Sequence, residues 1–403
     1  MPDFTSALYL GLTHPSRELQ PWSRLTTGRP AALGMPEAAR ELEIDLARLV
    51  GCESALLGSS TLHVFWDLPA LLPAHPLLLV DGGVYPIGRW GCERAAAMGI
   101  PARVFRHYDP EALARILRAS GGRRTPVVVA DGFCPVCGVP APLAALLDCI
   151  EPYGGHLILD DTQSLGIWGL DPVPAMPYGR GGGGSLRRCG IEHGRITLVS
   201  SLAKGFGVPV AMLAGSRGIT RRFQAASLTR VHCSPPSFAV LHGARAALEA
   251  NCQFGEVLRA RLAQRVIAFR QRLADLGLAA EGGLFPVQGL TLVPSVDPVR
   301  VHARLLGQGV TAVLARGHRG TRLSFLITAR HRRDDLDQAA AALGVALWPY
   351  PGGRPRPQAI RTGLAARPWP AHRIGHPTQI GGIDRGAQLG PQLDAGIGAR
   401  RDR

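Results

Sequence analysis

The 403 residues carry 45 basic against 30 acidic side chains, with 46% hydrophobic and 19% charged content. That balance excludes a disordered or fibrous chain, and no apolar run reaches the ~18 residues of a membrane span. The net charge of +15 does not indicate a nucleic-acid partner: basic residues are scattered, not interleaved with aromatics, and accompany 50 Gly and 33 Pro, as in a GC-rich genome.

The opening Met-Pro-Asp-Phe-Thr-Ser has no basic segment leading into an apolar one, so the expectation is a cytoplasmic protein without a signal peptide. A helix is predicted over 37–50, with Leu42, Leu46, Leu49 and Val50 on one face. Gly58-Ser-Ser-Thr-Leu-His63 follows an apolar pair and precedes a helical pattern, which suits an anion-binding turn using the N–H groups of Ser60, Thr61 and Leu62. Residues 77–81, 127–130, 156–160 and 196–200 read as buried strands, and 110–119 and 142–149 as helices between them.

Eight scattered cysteines are too sparse for a disulfide scaffold. Cys134 and Cys137 form a CxxC with no second copy, and the one HxxxH, His372 to His376, lies far away. A turn that happens to hold two thiols, with no metal, is therefore expected. Gly181 to Gly184 lacks the GK[ST] ending of a phosphate loop and reads as a flexible connector.

After Ser234-Pro235-Pro236 the pattern changes to long helices at 237–250 and 256–276. A strand near Leu290, a helix at 298–308, a strand at 322–328 and a helix at 333–343 follow. The Gly-, Pro- and Arg-rich stretch from 352 onward has no apolar periodicity and reads as disordered. The expectation is an α/β protein: an N-terminal arm (1–25), a large domain with a mainly parallel sheet (26–235), a smaller α+β domain (236–350) and a tail (351–403).

Of the 45 basic residues, 44 are arginine and one is Lys204. Arginine cannot replace lysine where a neutral amine must attack a carbonyl, so a lone surviving lysine is a candidate nucleophile. Lys204 follows the strand Thr197-Leu-Val-Ser-Ser and precedes glycines, and another strand, His156-Leu-Ile-Leu-Asp160-Asp161, ends in carboxylates. Open α/β sheets bind ligands beyond such strand ends.

Together these segments resemble the fold-type I pyridoxal-5′-phosphate (PLP) enzymes, and among them the α-oxoamine synthase family, from about Tyr9 to about Leu343. Family members carry Asp-Glu-Ala-His-Ser-x-Gly where this chain has Asp160-Asp-Thr-Gln-Ser-Leu-Gly166, and Thr-x-x-Lys-x-Phe-Gly where it has Ser201-Leu-Ala-Lys-Gly-Phe-Gly207. Val127-Val-Val-Ala-Asp-Gly132 with Gly138-Val-Pro-Ala-Pro-Leu143, and Arg322-Leu-Ser-Phe-Leu-Ile-Thr-Ala-Arg-His331, resemble two further family segments.

The resemblance implies a PLP-dependent transferase in which Lys204 carries the cofactor as a Schiff base. Asp160 then pairs with the pyridine nitrogen, making the ring an electron sink. Tyr85 stacks on the ring where the family has His, and Gln163 stands where the family has His near the phenolic oxygen. Ser60, Thr61, Leu62 and Ser201 reach the phosphate, and Ser234 or its neighbours reach the phosphate of a partner subunit in a homodimer. The implied reaction condenses an amino acid with an acyl thioester and loses CO₂. An aminotransferase, which uses no thioester, and a non-catalytic PLP-binding homologue are the alternatives.

The chain departs from the family at Pro135, usually Ser, at Ser324, where the family clamps a carboxylate with Arg, and at Ala7, where an assisting Asn stands. Arg322 lies two residues before Ser324, on the same face of a regular strand, and is a candidate replacement. Loss of two carboxylate contacts together slightly favours a substrate whose carboxylate is masked, such as a modified or carrier-bound amino acid.

Overall fold

Short apolar runs closed by Asp, Ser or Gly become strands because both faces of the sheet they enter are covered. The computed structural model describes residues 1–14, 25–192, 194–317 and 320–347. The expected disordered tail, together with His372 and His376, lies outside the described residues.

In chain order the strands are β1 (Asp3–Phe4), β2 (Ser54–Gly58), β3 (Pro76–Asp81), β4 (Ala102–Phe105), β5 (Thr125–Asp131), β6 (Phe133–Cys134) and β7 (Val139–Pro140). There follow β8 (His156–Asp160), β9 (Ile196–Ser201), β10 (Ala211–Gly215), β11 (Ala279–Glu281), β12 (Val287–Thr291), β13 (Thr311–Gly317) and β14 (Gly320–Leu326). Seven of them form one sheet in the order β2-β10-β9-β8-β5-β3-β4. Only β10 runs against its neighbours. Helices such as Glu37–Val50 and Leu143–Ile150 pack against the sheet to complete its core.

Register decides where the site forms. Asp131 lies opposite Asp160 across β5 and β8. Ala211 at the start of β10 lies opposite both Ser201 and Gly58. The ends of β2, β9, β8 and β5 therefore emerge along one edge, with about 4.8 Å between adjacent strands.

A second sheet, β1-β13-β14-β12-β11, has its own apolar core. The start of the N-terminal arm belongs to it, because Asp3 and Phe4 pair in parallel with Thr311 and Ala312.

Two expectations are corrected. The two long helices are one, Phe238–Asp275, 38 residues long. Its apparent break at Asn251–Gly255 is bridged by tertiary contacts: Asn251 donates to Gly181 O at 3.0 Å and accepts from Arg259 at 2.8 Å. The four-glycine segment is not a flexible connector. Gly182, Gly183 and Gly184 are buried, Gly166 N–H donates to Gly182 O at 2.7 Å, and Gly184 N–H donates to Trp168 O at 2.7 Å. A side chain at Gly183 would place its Cβ 2.3 Å from Leu49 O, so close approach of backbone requires glycine there.

Candidate active site

Past the end of β9 the chain turns through Leu202 to Gly207, anchored by buried Leu202 and Phe206. The turn lies flat on the one that follows β8, for a Cβ on Gly205 would come within 2.3 Å of Leu165 O. This packing presents Lys204 at the strand ends, with Nζ 5.9 Å from the centroid of the Tyr85 ring. Tyr85 is half exposed and begins the helix Pro86–Ala97 as its cap residue.

Asp160 and Asp131 are the acidic neighbours of Lys204. Burial pulls the Lys204 amine below its ordinary range, and the two carboxylates oppose that. Burial raises Asp160, while hydrogen bonds from Thr162 and the charge of Lys204 lower it. Thr162 N–H donates to Asp160 Oδ1 at 2.9 Å. Asp131 is pushed well above the carboxylate range, first by burial and then by Asp160. Its Oδ2 accepts from Tyr85 N–H at 3.0 Å, whereas Oδ1 is buried without a partner.

Asp161, next in sequence, points elsewhere. Its oxygens accept from Ser185 N–H at 2.8 Å and Ser185 O–H at 2.5 Å, and burial holds its pKa at about 7.

Ser60 caps the short helix Thr61–Trp66, its Oγ accepting from His63 N–H at 3.4 Å. Ser201 is tied to β8 through its N–H, which donates to Thr162 Oγ1 at 3.0 Å, and its own Oγ accepts from Ala203 N–H at 3.2 Å. Ser59 Oγ donates to Ser234 O at 3.4 Å, so Ser234 lies beside the Gly58–Ser60 turn of its own chain.

Comparison with known proteins places the chain in a family. No protein-family profile matches the chain. It is 30% identical over 355 residues to 8-amino-7-oxononanoate synthase of Halorhodospira halophila, covering 84% of each chain. The enzyme of that name from Geobacter sulfurreducens is also 30% identical, over 83% of this chain and 86% of the relative. The chain belongs to the α-oxoamine synthase family.

Among solved structures, serine palmitoyltransferase with PLP superposes with a TM-score of 0.74 at 18% identity, over 85% of this chain and 86% of that one. 8-Amino-7-oxononanoate synthase from Francisella tularensis superposes with a TM-score of 0.66 at 18% identity, over 86% and 97%. As an α-oxoamine synthase the chain is a fold-type I, PLP-dependent enzyme. Its residues fit that cofactor: a lone buried amine, an aromatic ring above it, a capped turn abreast of Ser201, and a carboxylate oxygen, Asp131 Oδ1, awaiting a partner.

The departures from the family take physical form. Gln163 accepts a hydrogen bond from the hydroxyl of fully buried Tyr9 at 2.7 Å. Sequence reading missed Tyr9 as a partner, because 154 residues separate the two. Tyr9, Phe133, Trp168 and Phe285 form an aromatic cluster, with Phe133 and Phe285 stacked at 3.7 Å, and Ala7 packs on the same core.

Ser324 is buried within β14. The Arg322 guanidinium is already engaged, with Val136 O, with Gly289 O at 3.1 Å, and with Glu281 at 2.7 Å. That arrangement makes it a staple between the second sheet and the Cys134–Cys137 turn. Nor is that turn a bare pair of thiols, because His107 Nε2 lies 3.3 Å from Cys137 Sγ.

Proposed function

We propose that this α-oxoamine synthase condenses an amino acid with an acyl thioester, releasing CO₂ and a free thiol. The observation that carries the reading is the placement of Lys204 between Tyr85 and the Asp160–Asp131 pair. PLP, when bound, supplies an electron sink for negative charge at the carbon bearing the substrate amine.

Lys204 ties the cofactor covalently and, with its pKa lowered by burial, keeps a neutral fraction able to take a proton from that carbon. Asp160, fixed by Thr162, holds the pyridine nitrogen protonated. Tyr85 covers the ring. Ser60, Thr61, Leu62 and Ser201 hold the phosphate, with Ser234 beside them. Gln163, steadied by Tyr9, donates its amide N–H to the ring oxygen, where an imidazole would also shuttle protons.

A substrate whose carboxylate is masked would condense without losing CO₂; in the decarboxylative reaction the carboxylate is free but is not clamped by Arg322. The engagement of Arg322 by Glu281 and two carbonyls supports this, as does the apolar setting of Ala7. A cytoplasmic homodimer completes the reading. Leu62, Trp66, Tyr85 and Trp90, all exposed on or beside the packed helices Thr61–Trp66 and Pro86–Ala97, supply apolar surface for a second subunit. The eight cysteines are free, in keeping with a reducing compartment. No helix among the described residues is long and apolar enough to cross a membrane.

Borohydride reduction of the PLP-loaded protein should fix one pyridoxyl group on Lys204. A separate, unreduced sample incubated with a pool of amino acids and acyl thioesters should release free thiol and CO₂ together. Amino-group exchange with a keto acid and no thiol release would replace the condensation by an aminotransferase reaction. A labelled Lys204 with neither product would leave a non-catalytic homologue.

A further inference from the structure

A cluster built on the hairpin that follows the Asp131 strand has no part in the reading above. Cys134 and Cys137 lie on the β6–β7 hairpin, and His107 follows β4. Their ligand atoms, two Sγ and one imidazole nitrogen, all lie within 4.8 Å of one another. The edges of a tetrahedron around a metal with bonds of about 2.0–2.3 Å are about 3.3–3.8 Å, so the three atoms need only small shifts to share one ion.

The hairpin has the backbone form that thiolate ligation needs. Cys137 N–H donates to Cys134 Sγ at 3.3 Å. Gly138 N–H closes the turn on Cys134 O at 2.9 Å, with φ at +70°. The Cys137 N–H stabilises charge on the Cys134 sulfur before any ion arrives.

The histidine is oriented as well. His107 Nδ1 sits 2.5 Å from Asp81 Oδ1, and the other Asp81 oxygen accepts from Tyr108 N–H at 2.8 Å. A carboxylate on Nδ1 fixes the tautomer that puts the ring's lone pair on Nε2, and Nε2 faces Cys137. Both cysteines are almost fully buried, at 1% and 2% exposure, which suits an ion site better than a thiol pair that must meet a redox partner.

We propose that Cys134, Cys137 and His107 bind one Zn²⁺, with Asp81 orienting the histidine and a water completing the tetrahedron. Two thiolates and an imidazole select zinc over harder cations. The ion fixes the turn whose Val136 carbonyl Arg322 holds, and so supports the contact of the β6–β7 hairpin with β11 and β14.

The test uses the full-length, PLP-loaded protein, purified without chelators from zinc-supplemented cells. Elemental analysis should find about one zinc per chain, and X-ray absorption at the zinc edge should report two sulfur scatterers and at least one nitrogen. Replacement by Co²⁺ should give tetrahedral d–d bands at wavelengths longer than the cofactor's absorption. The Cys134→Ser/Cys137→Ser double variant and His107→Ala should fall to background or bind weakly, whereas Cys252→Ser should keep the metal. If the double variant does not fold, the absorption and cobalt spectra of the wild type decide. Protein free of zinc that also gives no cobalt bands, a first shell without sulfur, or a Cys134–Cys137 disulfide in the protein as isolated would each overturn the proposal.

Discussion

Replacing Asp160 by Asn isolates one charge. Asn keeps an oxygen where Thr162 N–H now donates at 2.9 Å, so the turn after β8 should hold its shape. What disappears is a buried negative charge beside Lys204, one of the two groups that raise the lysine pKa against burial. Asp131, itself pushed well above the carboxylate range by burial, then remains as the acidic neighbour, and the amine should titrate lower than in the wild type.

With cofactor bound, the pyridine nitrogen loses the partner that holds its proton. Removing one preorganised electrostatic stabiliser costs about 2.7–4 kcal/mol, roughly 10²–10³ in kcat. Turnover should be followed as thiol release under saturating substrates, with cofactor content measured by absorbance on the same sample. A variant that keeps its cofactor and turns over within about threefold of wild type would refute the assignment. The charge would then have to come from Asp131, whose Oδ1 is unpartnered, and not from Asp161, which Ser185 occupies.

Other outcomes follow from the same geometry. Asp161 titrates near 7 in the folded protein and near its ordinary 3.8 when unfolded, so the folded state holds the extra proton between these values. Its contribution to stability therefore falls as pH rises from about 4 to about 7. In Asp161→Asn this fall should flatten, and parallel plots of Tm against pH for the two proteins would refute it. Arg322→Ala should destabilise the protein by about 1–3 kcal/mol, discounted because Glu281 is partly exposed, with little change in substrate KM. Unchanged Tm with substrate binding destroyed would instead make Arg322 a carboxylate clamp. Gly138→Ala should cost at least about 1–3 kcal/mol on thermal melting, since φ is +70° and the new Cβ would lie 2.5 Å from Gly282 N.

Much of this was legible in the sequence because the residues concerned are constrained locally. A buried parallel strand needs a continuous apolar run, and a carboxylate can end it only where something offsets its charge, so residues 156–160 announced both strand and site. Lys204 stood out against a background of arginine. What escaped depends on distant partners. The break in the long helix at Asn251 and Gly255 is repaired by Gly181 and Arg259, and nothing in the local pattern says so. The four glycines read as slack chain because their lack of side chains has two opposite uses, freedom and close packing, and only neighbours such as Leu49 O decide between them. Tyr9 beside Gln163, and His107 beside Cys137, are pairs made by topology alone.

The position of β10 also sets an order of assembly. β2 is complete by residue 58, yet its described strand partner is β10, which begins at residue 211. On the ribosome the Gly58–Ser60 turn has no strand to hold it until about half the chain has been made. The Asp131 and Asp160 strand ends can pair earlier, because β5 and β8 are near neighbours in sequence. Closing so long a loop is slow. The phosphate end of the site should therefore be the last part to form, and a nascent chain halted before β10 should be unable to retain the cofactor.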